Sequence, residues 1–321
     1  MNDIKFYVGP MSKNIVDSII EFTTETEGKI GFIPSRRQVE YNGGYVNKWT
    51  TKQFSEYVDG RVLIQRDHGG PGQGYFDDDG YESFGHDAVC FDMIHIDPWK
   101  KYPKYETGLA LTIESINYIN EVNPNMLFEV GTEESIRYFA PGDLERLLWD
   151  LSESISPHLF RKIKYAVVQS GVGLDLGKRA NTRTFDEGRL REMVRVCEKF
   201  NLLSKEHNGD YLANEEVAKR FDIGLDAINI APEFGQIETM CYLDEMGDDI
   251  EEYYKICFDS RRWEKWVSED FAPAENKKEL IEICGHYVLS DERFLAIKPD
   301  IDVKIKQRIK AKLGDLYDVI G

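Results

Sequence analysis

The stretch FDMIHIDPWKKYPKYETGLALTIESINYINEVNPNMLFEVGTE, Phe91 to Glu133, contains one whole strand–helix–strand unit. An apolar run ending in polar residues (Phe91 to Asp97) leads into a segment with helical spacing and good helix formers (Tyr105 to Glu121). A second apolar run follows (Met126 to Glu133). A strand followed by a helix, repeated, is the mark of a parallel barrel or a doubly wound sheet. Working outward, the same alternation recurs. Further strands are predicted at Lys5 to Gly9, Ile30 to Ser35, Val62 to His68, Tyr165 to Gly171, Asn201 to His207 and Ala227 to Phe234. Helices are predicted at Lys13 to Thr26, Thr51 to Tyr57, Gly142 to Ile155, Asp186 to Phe200 and Asn214 to Arg220. The strand count closes at eight, and polar residues gather at every strand end rather than at one switch point. This favours an α/β fold of the (β/α)8 TIM-barrel class over the doubly wound sheet. The pattern then changes to long helical stretches, Gln236 to about Trp266 and Lys277 to the C-terminus. The expected organisation is a barrel over residues 1–266 and a helical C-terminal extension, 267–321, packed on it.

The 321 residues carry 40 Lys and Arg against 58 Asp and Glu, a formal charge of -18. That sign argues against a nucleic-acid or membrane surface as partner. The basic run KIKQRIKAK near the C-terminus is read as a solvated helix face. No run is apolar enough to span a bilayer, the first residues lack a signal-peptide pattern, and a cytoplasmic protein is expected. The five cysteines, with no CxxC pair, read as buried free thiols.

In a barrel of this kind the chemistry comes from the strand tails. His68 and His207 lie in Gly- and Asp-rich tails and are candidate ligands of a divalent metal, with Glu133 as the oxygen ligand. His95 shares a strand face with Asp97 and reads as a core histidine, as a ligand or as an orienter. Asp67 precedes His68, so both reach one site only if the chain bends, which the following GGPGQG permits. That Gly-rich run fits neither a dinucleotide nor a Walker loop. Cations in the tails (Arg36, Arg37, Arg66, Lys178, Arg179 and Arg183) would hold a small anionic sugar, with Gln38, His95, Gln169 and Asp210 beside it.

The ordered series RQVEYNGGYVNKWTTKQF, RDHGGPG, MIHIDPW, EVGTE, VVQSGVGLD, KEHNGDY and INIAPEFG resembles the tagatose-bisphosphate aldolase subunit family, some of whose members carry an older tagatose-phosphate kinase label. That family is related to the zinc-dependent class II ketose-bisphosphate aldolases. The resemblance spans residues about 30 to 240. It implies a zinc site, with His68 and His207 at zinc-histidine positions and Asp67 at that of the proton-donating aspartate. It departs at Gln169, where the aldolases have a further histidine, and a Gln carbonyl is a poor zinc ligand. Either Glu133 fills that gap or the metal is absent. The expected activity is that of a class II aldolase-like carbon–carbon lyase on a phosphorylated or otherwise anionic sugar, proceeding through an enediolate. Asp67, Glu133 and Asp97 are its candidate catalytic groups. A sugar epimerase using the same metal site is one alternative. The other is a non-catalytic subunit that stabilises a partner aldolase. The expected protein partner is such an aldolase chain or, in a homo-oligomer, a second copy of this one. A kinase lacks support, because no nucleotide-phosphate loop is found.

Overall fold

Phe6 in the first strand is in register with Ile30 of the second and with Ile228 of the last, all parallel, so the sheet closes on itself. The structure, a computed structural model, describes residues 4–26 and 28–320. In chain order the strands are β1 (Phe6–Val8), β2 (Ile30–Phe32), β3 (Leu63–Gly69), β4 (Met93–Ile96), β5 (Leu127–Val130), β6 (Ile163–Val168), β7 (Gly173–Asp175), β8 (Ala180–Thr182), β9 (Leu203–Glu206) and β10 (Ala227–Ile230). The barrel runs β1-β2-β3-β4-β5-β6-β9-β10 and back to β1, while β7 and β8 form a separate antiparallel hairpin. This is the expected (β/α)8 barrel, and each of the eight predicted strands lies in its wall.

Alternation along the strands sorts side chains into layers. Phe6, Val8, Ile64, Ile94, Phe128 and Val130 face outward into the main core with the helices, whereas Tyr7, Met93, Tyr165 and Ala227 fill the base of the barrel. One pleat higher, β3, β4, β5 and β9 present Gln65, His95, Glu129 and Lys205, all with no exposed surface. Asp67, Asp97 and His207 come next, at the strand tails. The interior therefore grades from apolar base to polar mouth, as catalytic barrels require.

The helices follow physical cues, with instructive exceptions. Lys13–Thr26 forms as predicted, and Thr51–Val58 is secured by a Thr50–Gln53 capping box. Tyr81–Cys90 was not anticipated, since YESFGHDAVC interrupts its apolar face with Gly, His and Asp. Its entry is set by Gly80, at φ +80°, whose backbone lies too close to Gly70 to admit a Cβ. The long helix expected from Gln236 is broken into Pro232–Glu245 and Ile250–Ser260 by Gly247 at φ +54°. The remaining chain forms Lys277–Cys284, Glu292–Ile297 and Asp302–Asp318, interrupted at Gly285 and again before Pro299. The last of these buries Ile305, Ile309, Leu313 and Leu316, which belong to the same hydrophobic core as the barrel helices. The basic run is consumed locally: Lys306 and Lys310 pair with Glu21 and Glu25 of the first helix, and Lys312 pairs with Glu233. Among the described residues all five cysteines are free, and no helix is long and apolar enough to cross a membrane.

Candidate active site

At the mouth, Asp67, His68, His95 and His207 bring ligand atoms within 4.8 Å of one another. The bend expected near residue 68 falls on His68 itself. Its φ is +45°, and the β3–β4 register slips between Arg66 and Gly69. A bulge of this type turns two successive side chains to one side. It also turns the His68 N–H toward His95 Nδ1, 3.3 Å away.

Each imidazole has one nitrogen committed to a group that can only accept a proton. His68 Nδ1 lies 2.5 Å from Asp97 Oδ2, His95 Nε2 3.0 Å from the Gly131 carbonyl, and His207 Nε2 2.7 Å from Glu129 Oε1. Those nitrogens must therefore be the N–H donors, which leaves His68 Nε2 and His207 Nδ1 free toward the cluster, with His95 Nδ1 facing it while it accepts the His68 N–H. His68 Nε2 and His207 Nδ1 stand 3.3 Å apart, and the buried Asp67 Oδ1, 3.9 Å from both, has no hydrogen-bond partner. A tetrahedral ion with bonds near 2.0–2.1 Å separates its ligands by roughly 3.4 Å. Fixing each ligand histidine through its other nitrogen is the usual supporting arrangement. The residues therefore fit a divalent cation.

Electrostatics agree with that fit. Burial opposes a charge on His68, yet Asp67 and Asp97 overcome it and raise its pKa to about 10, so a proton occupies the place a cation would take. Burial lowers the His95 pKa to about 4, keeping that imidazole neutral. Asp97 is stabilised as a carboxylate against its burial by His68 and by Thr132, whose hydroxyl donates at 3.0 Å. Glu129 is held well below its ordinary range despite complete burial. Lys205 Nζ donates to it at 2.9 Å and Gln65 Nε2 at 2.6 Å. Lys205 in turn lies 3.5 Å over the Tyr7 ring. Sequence reasoning missed this Gln65–Glu129–Lys205 layer, although each residue lies two positions before a site residue or tail on its own strand and so faces the same way.

A cavity of about 740 Å³ opens above the cluster, with Asp67, His68 and Glu133 in its wall. Glu133 stands outside the four-residue set. Ser135 Oγ donates to it at 2.6 Å, and against its burial the His68 charge keeps it ionised. The third imidazole comes from His95 on β4, not from β6. Gln169 on the β6 tail is spent on structure: it accepts from Phe139 N at 2.9 Å and donates to the Thr132 and Arg137 carbonyls, pinning the segment that carries Glu133.

Of the expected cations only Arg37 reaches the cavity, joined there by Gln38. Arg66 alternates outward and forms a fully buried bidentate pair with Asp87. Arg36 is buried between Glu40 and Asp78. Lys178 is exposed beside Asp175, and it, Arg179 and Arg183 lie on the β7–β8 hairpin, which offers Leu174 and Leu176 to the cavity instead. Asp210 holds the start of the Pro232–Glu245 helix, accepting from Ala231 N at 3.0 Å and Glu233 N at 2.8 Å. Cations the sequence reading did not single out take their place: Lys100, Arg261, Arg262 and Lys265. Lys100 directly follows a tail already in view, whereas the other three come from a joint some 200 residues beyond β3 in the chain.

Fold and site together define a (β/α)8 barrel whose strand tails carry three histidines and a carboxylate suited to a metal. No protein-family model matches the sequence, and no match was found among curated proteins. Solved structures do match in fold. A probable tagatose 6-phosphate kinase from Sinorhizobium meliloti 1021 aligns over 98% of this chain and 99% of its own, with a TM-score of 0.76 at 13% identity. The YdjI aldolase from Escherichia coli K12 aligns over 92% and 90%, with a TM-score of 0.57 at 12% identity. The fructose-bisphosphate aldolase of Campylobacter jejuni aligns over 98% and 90%, with a TM-score of 0.56 at 11% identity.

Proposed function

We propose that this chain is a metal-dependent aldolase of the class II type, making or breaking a carbon–carbon bond in an anionic sugar. The observation that carries this reading is the convergence of three imidazole nitrogens and the unpartnered Asp67 oxygen at the mouth of a barrel whose fold is shared with aldolases. His68 and His207 would hold the ion with His95, whose Nδ1 would exchange its 3.3 Å contact with the His68 N–H for the metal; zinc is among the ions that imidazole ligands suit. When bound, the ion supplies Lewis-acid polarisation of a ketose carbonyl.

The chain's own residues do the rest. Asp67 lines the cavity with an oxygen free of hydrogen bonds, and it takes and returns the proton of the substrate hydroxyl at the breaking bond. Glu133, ionised on the cavity wall, removes the proton next to the carbonyl when the reaction runs toward condensation. Asp97 and Glu129 orient His68 and His207. With His95 as third imidazole, the change to Gln169 does not leave the set one histidine short, which weighs against a purely stabilising subunit.

Zinc content of the purified chain after reconstitution should be one per chain and should fall to background in His68→Ala. Incubation with ketose phosphates should release a three-carbon phosphate. A chain that takes up no zinc, or whose zinc is untouched by His68→Ala, refutes the metal centre. An altered sugar stereochemistry with no three-carbon product assigns the site to an epimerase.

A further inference from the structure

We propose that Arg37, Lys100, Arg262 and Lys265 form a subsite for a phosphate monoester, built across the mouth from the β2 tail, the β4 tail and the turn after the Ile250–Ser260 helix. This deepens the reading above, since it fixes which end of a sugar phosphate is held away from the reacting carbons.

All four residues line the one cavity that His68, Asp67 and Glu133 also line. The chain has 58 acidic side chains, and buried or half-buried arginines elsewhere, such as Arg36, Arg66, Arg189 and Arg220, are paired, whereas at this mouth Arg37 and Arg262 stand half-buried and Lys100 and Lys265 exposed. Among the described residues these four have no carboxylate within ion-pair distance. Lys100 makes no hydrogen bond, Arg37 reaches only the Gly74 carbonyl at 3.3 Å, and Lys265 rests over the Trp266 ring at 4.2 Å. Arg262 is fixed without being neutralised: it donates to the Tyr75 hydroxyl at 2.5 Å and stacks near the Tyr45, Tyr75 and Tyr287 rings at 5.1, 5.1 and 5.3 Å. Aromatic contacts orient a guanidinium and leave its charge for a ligand.

The four charges also act on one another. Partial dehydration, then the charges of Arg37, Lys100 and Arg262, lower the Lys265 pKa to about 8, while Glu133 alone pulls the other way. Lys100 is lowered as well, by dehydration and then by Arg37. Like charges so gathered call for an anion, and four of them oversupply a single carboxylate but suit a dianionic phosphate with several acceptor oxygens. Glu133 interacts with His68 on one side and with Lys100 and Lys265 on the other. A sugar spanning that interval would carry its phosphate at the cations and its carbonyl end at the histidines.

The test is calorimetric titration of metal-stripped protein with inorganic phosphate. The wild type should bind one phosphate. Lys100→Met and Lys265→Met should each weaken binding about tenfold, the loss of one charge-assisted hydrogen bond. Lys100→Arg should restore it, and His68→Ala should leave it unchanged. Both lysines are solvent-exposed, so unchanged thermal unfolding checks that the variants fold. Equal phosphate affinity in the wild type and both Met variants, or loss of binding in His68→Ala, overturns the subsite. Lysine-dependent phosphate binding in a chain that takes up no zinc keeps the subsite and defeats the aldolase reading. Zinc uptake with lysine-independent phosphate binding does the reverse.

Discussion

His68 carries the backbone cost of the site. A φ of +45° is the left-handed region, which costs a non-glycine residue about 1–2 kcal/mol. In return, two adjacent residues serve one cluster and the His68 N–H faces His95. The need for a bend was legible from Asp67 and His68 standing side by side before a glycine run. Its location was not, because glycines follow and the histidine takes the strain instead. The consequence is measurable in the metal-free protein. His68→Gly and His68→Ala both lose the imidazole, but only Gly is at ease at this φ, so His68→Gly should be the more stable by about 1 kcal/mol in urea unfolding. Equal stabilities would show that the bulge is unstrained.

Elements were legible where local pattern and tertiary role agree. Strands of a parallel barrel are buried on both faces and read as apolar runs, which is why all eight were found. The Tyr81–Cys90 helix was invisible because Ser83 and Asp87, both buried, pair with Glu40 and Arg66 on its inner face in place of an apolar stripe. The C-terminal helix was legible as a helix but not as part of the core. Ile305, Ile309, Leu313 and Leu316 lie on one face, and their burial is worth about 1.5–3 kcal/mol each. That sum, about 6–12 kcal/mol, rivals the whole stability of an ordinary domain. A chain ending at residue 301 should therefore fail to fold cooperatively. Leu313→Ala, with no exposed surface, should cost about 2–5 kcal/mol, whereas Val303→Ala on the open face should cost less than about 0.5 kcal/mol. Denaturant titrations compare the two directly, and similar small losses would mean that the helix is dispensable.

At the scale of the molecule, the histidines were legible because strand tails converge in any barrel. The cations of the mouth were not, because residues 262 and 265 reach it only through the return of the chain after β10. The same return closes the molecule elsewhere. Glu238 on the Pro232–Glu245 helix accepts from Ser12 after β1 and from Asn14 at 2.9 Å, and Asn14 also donates to Asp302 of the last helix at 3.1 Å. The joint thus ties the chain's beginning to its end. Glu238 itself is buried, and burial raises its pKa from 4.5 to about 7, with Asp302 adding to the rise. A carboxyl that binds its proton more tightly when folded favours the native state while protonated. Its contribution is complete below about pH 4.5 and is lost as pH rises through about 7, at up to about 1.4 kcal/mol per unit. Asp210, also raised to about 7 by burial, acts in the same window, so only a difference measurement isolates Glu238. Glu238→Gln keeps a neutral group in place at every pH. Its unfolding free energy should match the wild type near pH 4.5 and exceed it increasingly toward pH 8. A stability difference that does not change between those pH values would mean that Glu238 ionises in the folded chain as easily as in the unfolded one, and that the joint is held by its hydrogen bonds alone.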